Sequence, residues 1–363
     1  MKIAILGTKG VPGHHGVEVV VDSLLPHLAA LGNKVTVYGY DSYTSTVENY
    51  HGAEIKALPG SSNKNFEMLS HMLNSSIDVR KDDFDIIHIH STDPCLLSWL
   101  PKSKYGTVAT SHGQAYIRKK WGITAKMFSR IAEKLFIYIP KIITSVSKPL
   151  AEHYTAKYKK DVIYIPNGIE FRKIPSDDFL TKWSLAPRKF IFCSAGRIEH
   201  TKGLHTLIEA WRKLRLQYPL VIAGGGSGTD TKYFEKIKQN SPAGVKFVGF
   251  LTGDELFALY AFARIFVFPS EYEAMSMALL EGLSFGTPTL YSNIPENEAV
   301  AKGLGYPFKV SDSDSMVEAL NSVLCNYDGA IKIGQKAKKT IKKNHDWSLI
   351  AKQYHQLYLK LSH

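Results

Sequence analysis

The sequence predicts an α/β protein with two doubly wound parallel sheets, one after the other along the chain. Three observations favour this fold class. The chain has 363 residues, which suits two domains of roughly 100–200 residues each. Short β-branched runs alternate with helix-periodic stretches, as in βαβ units. The alternation stops at a Pro-Asn-Gly turn at residues 166–168 and begins again after a polar stretch, so a second domain follows the first.

The individual strands follow from the apolar runs. In the first domain they are predicted at residues 2–6, 34–38, 85–90, 107–110, 141–146 and 161–165. In the second domain they are predicted at residues 190–194, 220–223, 245–248, 265–268, 288–291 and 308–310. The last helix-periodic segment, 349–361, is expected to return to the first domain. The predicted domains are therefore 1–168 plus 347–363, and 169–346, with ligands in a cleft between the carboxyl ends of two sheets.

Composition excludes several classes of protein. Hydrophobic residues make up 44% and charged residues 21% of the chain, unlike a disordered protein. Cys95, Cys193 and Cys325 are isolated, which disfavours a disulfide framework and favours a reducing, cytoplasmic location. The apolar start is too short for a signal peptide, and residues 135–146 fall short of the ~20 needed to span a bilayer.

The net charge of +12 is concentrated in one segment, 118–160, which contains eleven Lys or Arg residues and two acidic ones, Glu133 and Glu152. Aromatic and aliphatic residues alternate with these cations, as in a basic amphipathic helix that lies on an anionic membrane. A solvated basic surface over ordinary core contacts is the alternative. Nucleic acid is not expected as a partner, because no nucleic-acid-binding motif accompanies the charge.

A glycine-rich loop, residues 7–16, follows the first strand and precedes a helix-like run from Val17. Such a loop lets backbone amides approach a phosphate at the positive end of the helix. The spacing matches neither GxGxxG nor GxxxxGK[ST], which disfavours a nicotinamide-dependent dehydrogenase or a P-loop protein. A loop without any ligand remains the alternative.

The second domain contains two further candidate motifs. Arg197 and Lys202 flank a predicted strand-to-helix turn and place two cations where a pyrophosphate would bind, unless they are ordinary surface cations. A glycine cluster at 224–228 follows the next strand. Glu273 and Glu281 lie up to ~12 Å apart along a helix, too far for the ~5–5.5 Å of a retaining glycosidase pair. They suit the two ends of an extended ligand, although exposed helix acids are the alternative.

Taken in order, these residues resemble the bacterial family 4 glycosyltransferases, which are retaining enzymes of the GT-B fold with two Rossmann-like domains facing across a cleft. The matching positions are the glycine-rich loop, Ser111-His112-Gly113, Pro166-Asn167-Gly168, Gly196-Arg197 with Lys202, Gly249, and Glu273 with Glu281. Residues 6–12, Leu-Gly-Thr-Lys-Gly-Val-Pro, further resemble a surface-polysaccharide subgroup that includes rhamnosyltransferases. The resemblance implies hexosyl or deoxyhexosyl transfer from a nucleotide-sugar to a glycan or lipid-linked acceptor.

The resemblance also implies a role for each matching position. The catalytic residues would be Arg197, Lys202, Glu273 and His112, and the donor-binding residues Gly16, Glu281, Met275, Ser276, Met277, Phe250 and Leu251. The two cations, with amides near Gly16, would hold the pyrophosphate, so neither a metal nor another cofactor is expected. The two glutamates would divide the donor between them, Glu281 binding the ribose and Glu273 the sugar. Amides of 275–277 and His112 would also contact the sugar, and main chain at 250–251 the base.

Several alternatives stay open. Ala274 and the single Gly16 depart from the common family pattern and leave the donor sugar undetermined. A non-catalytic nucleotide-sugar or membrane-binding protein could keep the same fold. Two DxD patterns, 83–85 and 312–314, resemble metal sites but are predicted to start strands or helices. His88 and His90 with His112 imitate a zinc cluster, for which a polar cleft lining is the favoured interpretation. We expect a cytoplasmic protein that associates peripherally with the inner membrane face.

Overall fold

The structure is a computed structural model that describes residues 1–13, 16–114, 116, 122–214, 216–226 and 228–362. It divides into two compact units. The N-terminal unit comprises Met1–Glu170 and His345–His363, and the C-terminal unit comprises Phe171–Asn344. Each unit is an α/β structure built on a predominantly parallel sheet, which confirms the predicted fold class.

The N-terminal unit contains an eight-stranded sheet in the order β3-β4-β2-β1-β5-β6-β7-β8. The strands are β1 (Lys2–Leu6), β2 (Lys34–Tyr40), β3 (Val47–Tyr50), β4 (Ala53–Leu58), β5 (Ile86–His90), β6 (Gly106–Ser111), β7 (Ile142–Ser145) and β8 (Ile163–Tyr164). The helices are α1 (Val17–Ala30), α2 (Glu67–Asp78), α3 (Ile123–Tyr138), α4 (Lys148–Tyr158) and α12 (Trp347–Ser362). In the central strand β1, Ile3 to Leu6 are fully buried, because helices cover both faces of a parallel sheet.

The C-terminal unit contains a six-stranded parallel sheet in the order β11-β10-β9-β12-β13-β14. The strands are β9 (Ile191–Gly196), β10 (Leu220–Gly224), β11 (Val245–Gly249), β12 (Ile265–Phe268), β13 (Thr289–Ser292) and β14 (Tyr306–Phe308). The helices are α5 (Leu204–Lys213), α6 (Thr231–Gln239), α7 (Gly253–Phe262), α8 (Met277–Phe285), α9 (Pro295–Ala301), α10 (Ser313–Cys325) and α11 (Tyr327–Asn344). All four residues of β12 are buried, so the apolar run fits a central strand.

Two strands of the N-terminal unit were not predicted. β4 alternates buried Ala53 and Ile55 with partly exposed Glu54 and Lys56, the period of a half-buried strand. β3 pairs antiparallel with β4 at the sheet edge, and its residues are mostly exposed. A short, polar edge strand such as β3 contains no apolar run from which it could be predicted.

The basic segment is more than the single amphipathic helix that its sequence suggested. Within residues 122–160 it comprises α3 and α4, with β7 between them. Arg118, Lys119, Lys120 and Trp121 lie outside the described residues. In the part of the chain that the structure describes, none of the helices combines the length and apolar character needed to cross a bilayer.

The C-terminal helix α12 is part of the N-terminal unit. It packs against α1, and the Tyr358 hydroxyl lies 2.7 Å from Nδ1 of His88 in β5. At the start of α12 the Trp347 indole lies against Gly168, where a Cβ atom would approach the ring to 2.6 Å. The last helix therefore completes the core of the unit that the first residues begin.

Candidate active site

Two loops at the carboxyl edge of the C-terminal sheet lie side by side. One follows β9 and contains Lys202, and the other follows the adjacent strand β12 and contains Glu273. The amide of Glu271 donates a hydrogen bond to the carbonyl of Thr201 at 2.8 Å. Gly203 has φ +65, and a Cβ atom there would lie 2.0 Å from the carbonyl oxygen of Pro269. Only glycine permits this approach of the two loops.

The approach brings together two of the predicted catalytic residues. Lys202 ends a short 3₁₀ turn before α5, and its Nζ lies 2.6 Å from Oε1 of Glu273. The two side chains are only 18% and 12% exposed. This is a charge-assisted hydrogen bond in a partly desolvated position, so each charge is held in place by the other. A bound anion would compete with Glu273 for Lys202.

Arg197 lies on the other side of the same turn, next to the glycine cluster that follows β10. The amide of Gly225 donates to the carbonyl of Gly196 at 2.8 Å. The Arg197 side chain lies 3.1 Å from the position that a Cβ atom would take on Gly228. Ser227 is outside the described residues. The glycines thus leave room for the arginine side chain beside the strand end.

Phe250 and Leu251 follow β11, the strand beyond β10. The Phe250 ring lies against Gly226, 2.7 Å from the position of a Cβ atom there. The ends of β11, β10, β9 and β12 therefore place residues 250–251, the glycine cluster, Arg197 and the Glu273 loop side by side. At ~4.8 Å between strands, the row is about 14 Å long, enough for an elongated ligand.

The predicted sugar-binding amides lie at the beginning of α8. Met275 and Ser276 precede the helix, which begins at Met277. Ser276 occupies the N-cap position, and its side chain makes no capping hydrogen bond. The Ser276 side chain therefore does not cap the first-turn amides of α8, which lie at the positive end of the helix dipole.

Glu281 lies on α8, one turn further along the helix. Burial raises the pKa of its carboxyl to about 7, although the nearby Tyr260 hydroxyl and the charge of Arg172 act in the opposite direction. This carboxyl therefore changes its charge near neutral pH. Neither the burial of Glu281 nor its proximity to Tyr260 can be predicted from the neighbouring residues in the sequence.

In the N-terminal unit, Gly16 caps α1 with φ 58, and His14 and His15 lie outside the described residues. Carboxylates of α1 already accept bonds from two amides of the glycine-rich loop. The Lys9 amide donates to Oε1 of Glu18 at 3.3 Å, and the Gly13 amide donates to Oδ2 of Asp22 at 3.1 Å. The loop amides thus bind acidic oxygens, the chemistry that phosphate would also offer.

His112 lies just after β6, half-buried, with its Nε2 3.0 Å from Nδ1 of His90. Burial lowers the pKa of His112 to about 4. Burial, with a smaller contribution from His112, lowers the pKa of His88 to about 3. His88 is bonded on both ring nitrogens, to Tyr358 and to Thr110, each at 2.7 Å. These imidazoles are neutral at pH 7, and His88 has no ring nitrogen left for a metal.

The two DxD patterns occupy structural positions. Asp85 immediately precedes β5 and accepts a hydrogen bond from the Lys2 amide at 2.8 Å. Asp312 caps α10 by accepting from the amides of Asp314 and Ser315, and Asp314 pairs with Lys213 at 2.8 Å. These contacts agree with the interpretation that the patterns start strands or helices.

Sequence reasoning missed one group of side chains. His200, His205 and Glu271 place their ligand-type atoms within 4.8 Å of one another, the one such group of three in the described ranges. His200 and His205 flank Lys202 in the sequence, which is a weak signal on its own. Glu271 is 66 residues further on and was not associated with them.

Family models match both halves of the chain. The model described as Glycosyltransferase Family 4 matches residues 14–173, and the model described as Glycosyl transferases group 1 matches residues 176–340. The O-antigen chain mannosyltransferase C of Escherichia coli is 27% identical over 292 residues, which cover 77% of this chain and 76% of that protein.

Solved structures share the fold. Sucrose-phosphate synthase from Thermosynechococcus elongatus aligns with a TM-score of 0.86 at 21% identity, covering 99% of this chain and 98% of that one. HepE of Anabaena, solved in complex with UDP-glucose, aligns with a TM-score of 0.81 at 16% identity, over 99% of this chain and 100% of that one.

Fold and site thus define a two-unit α/β transferase of the GT-B type. The chain belongs to the family 4 glycosyltransferases and is an enzyme of that class.

Proposed function

We propose that this enzyme transfers a hexosyl or deoxyhexosyl group from a nucleotide-sugar to a glycan or lipid-linked acceptor, with retention of anomeric configuration, in surface polysaccharide synthesis. The observation that supports this most strongly is the row of strand ends in the C-terminal unit. It places Arg197 and the Lys202–Glu273 pair between a glycine-lined strand end and the start of α8. The similarity to an O-antigen chain mannosyltransferase supports a polysaccharide product.

Each part of the donor has matching chemistry in this row. The two cations suit the pyrophosphate, and Glu273 with the amides of 275–277 suits hydroxyls of the sugar. Glu281 suits the paired hydroxyls of ribose, which a carboxylate binds as an acceptor. Phe250 and Leu251 lie at the far end of the row, where the base would bind.

The chemistry requires stabilisation of the leaving group more than it requires a nucleophile. As the glycosidic bond breaks, negative charge grows on the departing diphosphate, and fixed cations stabilise that charge best in a partly desolvated site. Arg197 and Lys202 supply two such charges. In same-face attack the leaving phosphate takes the proton of the acceptor hydroxyl, so retention needs no covalent intermediate with a side chain. His112, neutral at pH 7, would contribute a hydrogen bond to the sugar.

Product analysis tests this proposal. The protein is incubated with a panel of nucleotide-sugars and lipid-linked glycan acceptors, and NMR compares the anomeric configuration of product and donor. We expect transfer with the donor configuration kept. An inverted product would overturn retention. Donor binding that stabilises the protein without any transfer would instead favour the non-catalytic alternative, and hydride transfer with NAD would favour a dehydrogenase.

We also propose that the N-terminal unit binds an anionic membrane surface from the cytoplasmic side, which would give access to a lipid-linked acceptor. Helix α3 presents a stripe of exposed apolar residues flanked by cations. The stripe consists of Ile123, Met127, Phe128, Ile131 and Tyr138, which are 89%, 54%, 53%, 43% and 55% exposed. Arg130 and Lys134 lie on the same exposed side. Apolar groups that enter the headgroup region, with basic residues worth ~1 kcal/mol each near an anionic surface, favour peripheral binding.

Vesicle co-sedimentation tests the membrane proposal. Binding is expected to require anionic lipid and to weaken as salt rises. The double variant Arg130→Gln/Lys134→Gln should bind several-fold more weakly. Lys332→Gln/Lys339→Gln, which removes two exposed cations from α11, should bind like the parent protein. Equal binding to neutral vesicles, or equal loss in both variants, would contradict a specific surface on α3.

A further inference from the structure

The group formed by His200, His205 and Glu271 lies outside the donor-binding residues, although it is adjacent to them. Each member comes from a different element. His200 begins the 3₁₀ turn before α5, His205 lies in the first turn of α5, and Glu271 lies in the loop after β12. The three side chains are 59%, 35% and 20% exposed, so solvent ions can reach them.

Their spacing is that of ligands around one small cation. Nε2 of His205 lies 3.0 Å from Oε1 of Glu271, and Nδ1 of His200 lies 3.6 Å from Oε2. All three ligand-type atoms lie within 4.8 Å of one another. With metal–ligand distances of about 2.0–2.2 Å, ligand atoms of a tetrahedral zinc site are about 3.3 Å apart. Small side-chain rotations would therefore close this group on an ion.

The surroundings orient the group in the way that metal ligands are usually oriented. The Tyr233 hydroxyl lies 3.0 Å from Nδ1 of His205, which leaves Nε2 directed at Glu271. The Ser311 hydroxyl donates to Oε1 of Glu271 at 3.0 Å. Such outer hydrogen bonds fix the ring orientation of a histidine ligand and the position of a carboxylate ligand.

We propose that His200, His205 and Glu271 form a binding site for one divalent transition-metal ion of the zinc class, with water completing the coordination. Two imidazoles and one carboxylate suit zinc far better than magnesium or calcium, which prefer oxygen ligands alone. The ion would link the loop that contains Lys202 to the loop that contains Glu273. The site is separate from the sugar-transfer chemistry, and this proposal does not depend on the proposed function.

Direct metal titration tests the site. Untagged, chelator-treated protein is titrated with Zn²⁺ in competition with a chromogenic chelator. We expect one high-affinity ion per chain, at least ten-fold weaker binding in His200→Ala and in Glu271→Gln, and no change in His153→Ala, which removes an exposed histidine elsewhere. His200→Ala is the safer variant for folding, because His200 is the most exposed of the three side chains.

Two further measurements make the result decisive. Co²⁺ bound in place of Zn²⁺ should give the visible absorption of a tetrahedral site, and Zn²⁺ should slow amide hydrogen exchange in residues 199–203 and 270–273 of the parent protein but not of His200→Ala. Absence of saturable binding, equal binding by His200→Ala, or displacement of Zn²⁺ by millimolar Mg²⁺ would each overturn the proposal.

Discussion

In both units, candidate site residues lie at or near the carboxyl edge of a predominantly parallel sheet. The two edges differ in the charge of these side chains. In the N-terminal unit, His88 and His90 of β5 and His112 after β6 are buried or half-buried, and they contact one another and tyrosine and threonine hydroxyls. In the C-terminal unit the loops after β9 and β12 hold the Lys202–Glu273 ion pair. One edge offers neutral hydrogen-bonding groups, and the other offers charges that a ligand can exchange for its own.

Burial shifts the pKa of two histidines in the N-terminal unit and of one glutamate in the C-terminal unit in opposite directions. It lowers the pKa of His88 and His112, and it raises the pKa of Glu281 to about 7. In both cases the neutral form is favoured, because a low-dielectric environment disfavours charge. The contributions of His88 and Glu281 to stability should therefore respond to pH with opposite signs.

The largest effect is expected from removing the cations of the C-terminal edge. The double variant Arg197→Ala/Lys202→Ala should lower kcat for sugar transfer by at least about 10³-fold, since each donor to a developing charge contributes roughly 10²–10³-fold. Steady-state transfer assays measure this loss, with circular dichroism to verify folding.

Lys213→Ala is the matched control for that experiment. Lys213 is the last residue of α5, at the end of the helix remote from Lys202, and it pairs with Asp314 at 2.8 Å. Removing this cation should change kcat by less than two-fold. Undiminished transfer by the double variant would show that the charges of this edge are not catalytic.

Glu281 should make nucleoside diphosphate binding depend on pH. Below its pKa of about 7, the ionised fraction of the carboxyl falls about ten-fold per pH unit, and a protonated carboxyl accepts hydrogen bonds from ribose less well. Calorimetric affinities between pH 5.5 and 8 should weaken on the acid side in the parent protein. In Glu281→Gln the loss of affinity on the acid side should be smaller. The ratio of the parent affinity to the variant affinity at each pH cancels the titration of the phosphate itself. A constant ratio across this range would contradict a role for Glu281 in binding.

Opposite pH effects on the stability of the two units are expected next in size. The folded-state pKa of His88 lies below its unfolded value, so its contribution to the unfolding free energy is lost as pH falls from about 6.5 towards 3. The folded-state pKa of Glu281 lies above its unfolded value, so its contribution is lost as pH rises from 4.5 to about 7. At about 1.4 kcal/mol per pKa unit, each of these shifts corresponds to several kcal/mol of the unfolding free energy.

Hydrogen exchange, followed separately for peptides of β5 and α8, distinguishes these two effects. Protection of β5 should decrease in acid, and protection of α8 should decrease towards pH 8 after correction for intrinsic exchange. His88→Gln should flatten the first response and Glu281→Gln the second. Parallel responses in both units would contradict the comparison.

The smallest effect is expected from removing metal ions. Because Arg197 and Lys202 would neutralise the diphosphate, transfer in excess chelator should stay within two-fold of the untreated rate. Complete loss of activity that Mg²⁺ or Mn²⁺ restores would show that a metal shares the role of these cations. Chelation should still remove any ion held by His200, His205 and Glu271.

Periodicity and apolar runs were enough to predict most of the fold. The bounds predicted for β1 and β12 agree with the structure, and the other predicted strands overlap observed ones. The edge strand β3 and its neighbour β4 were missed because β3 is polar and exposed and β4 is only half-buried. For such strands the pairing partner, and not an apolar run, determines the conformation.

The site was predictable in its residue types and not in its contacts. Lys202 and Glu273 are 71 residues apart, and they meet because β9 and β12 are neighbours although β10 and β11 separate them in sequence. The raised pKa of Glu281 depends on its burial, which the packed tertiary structure and not the local sequence determines. The association of His200 and His205 with Glu271 has the same origin, since strand order sets which loops meet.

The position of α12 has a consequence for the order in which the protein is made. The ribosome completes all of Phe171–Asn344 before it adds the helix whose Tyr358 bonds to His88. At that point the whole C-terminal unit has been synthesised. The N-terminal sheet still lacks the helix whose tyrosines cover its buried histidines. The N-terminal unit, whose synthesis begins first, therefore receives the α12 part of its core only after the C-terminal unit has been synthesised.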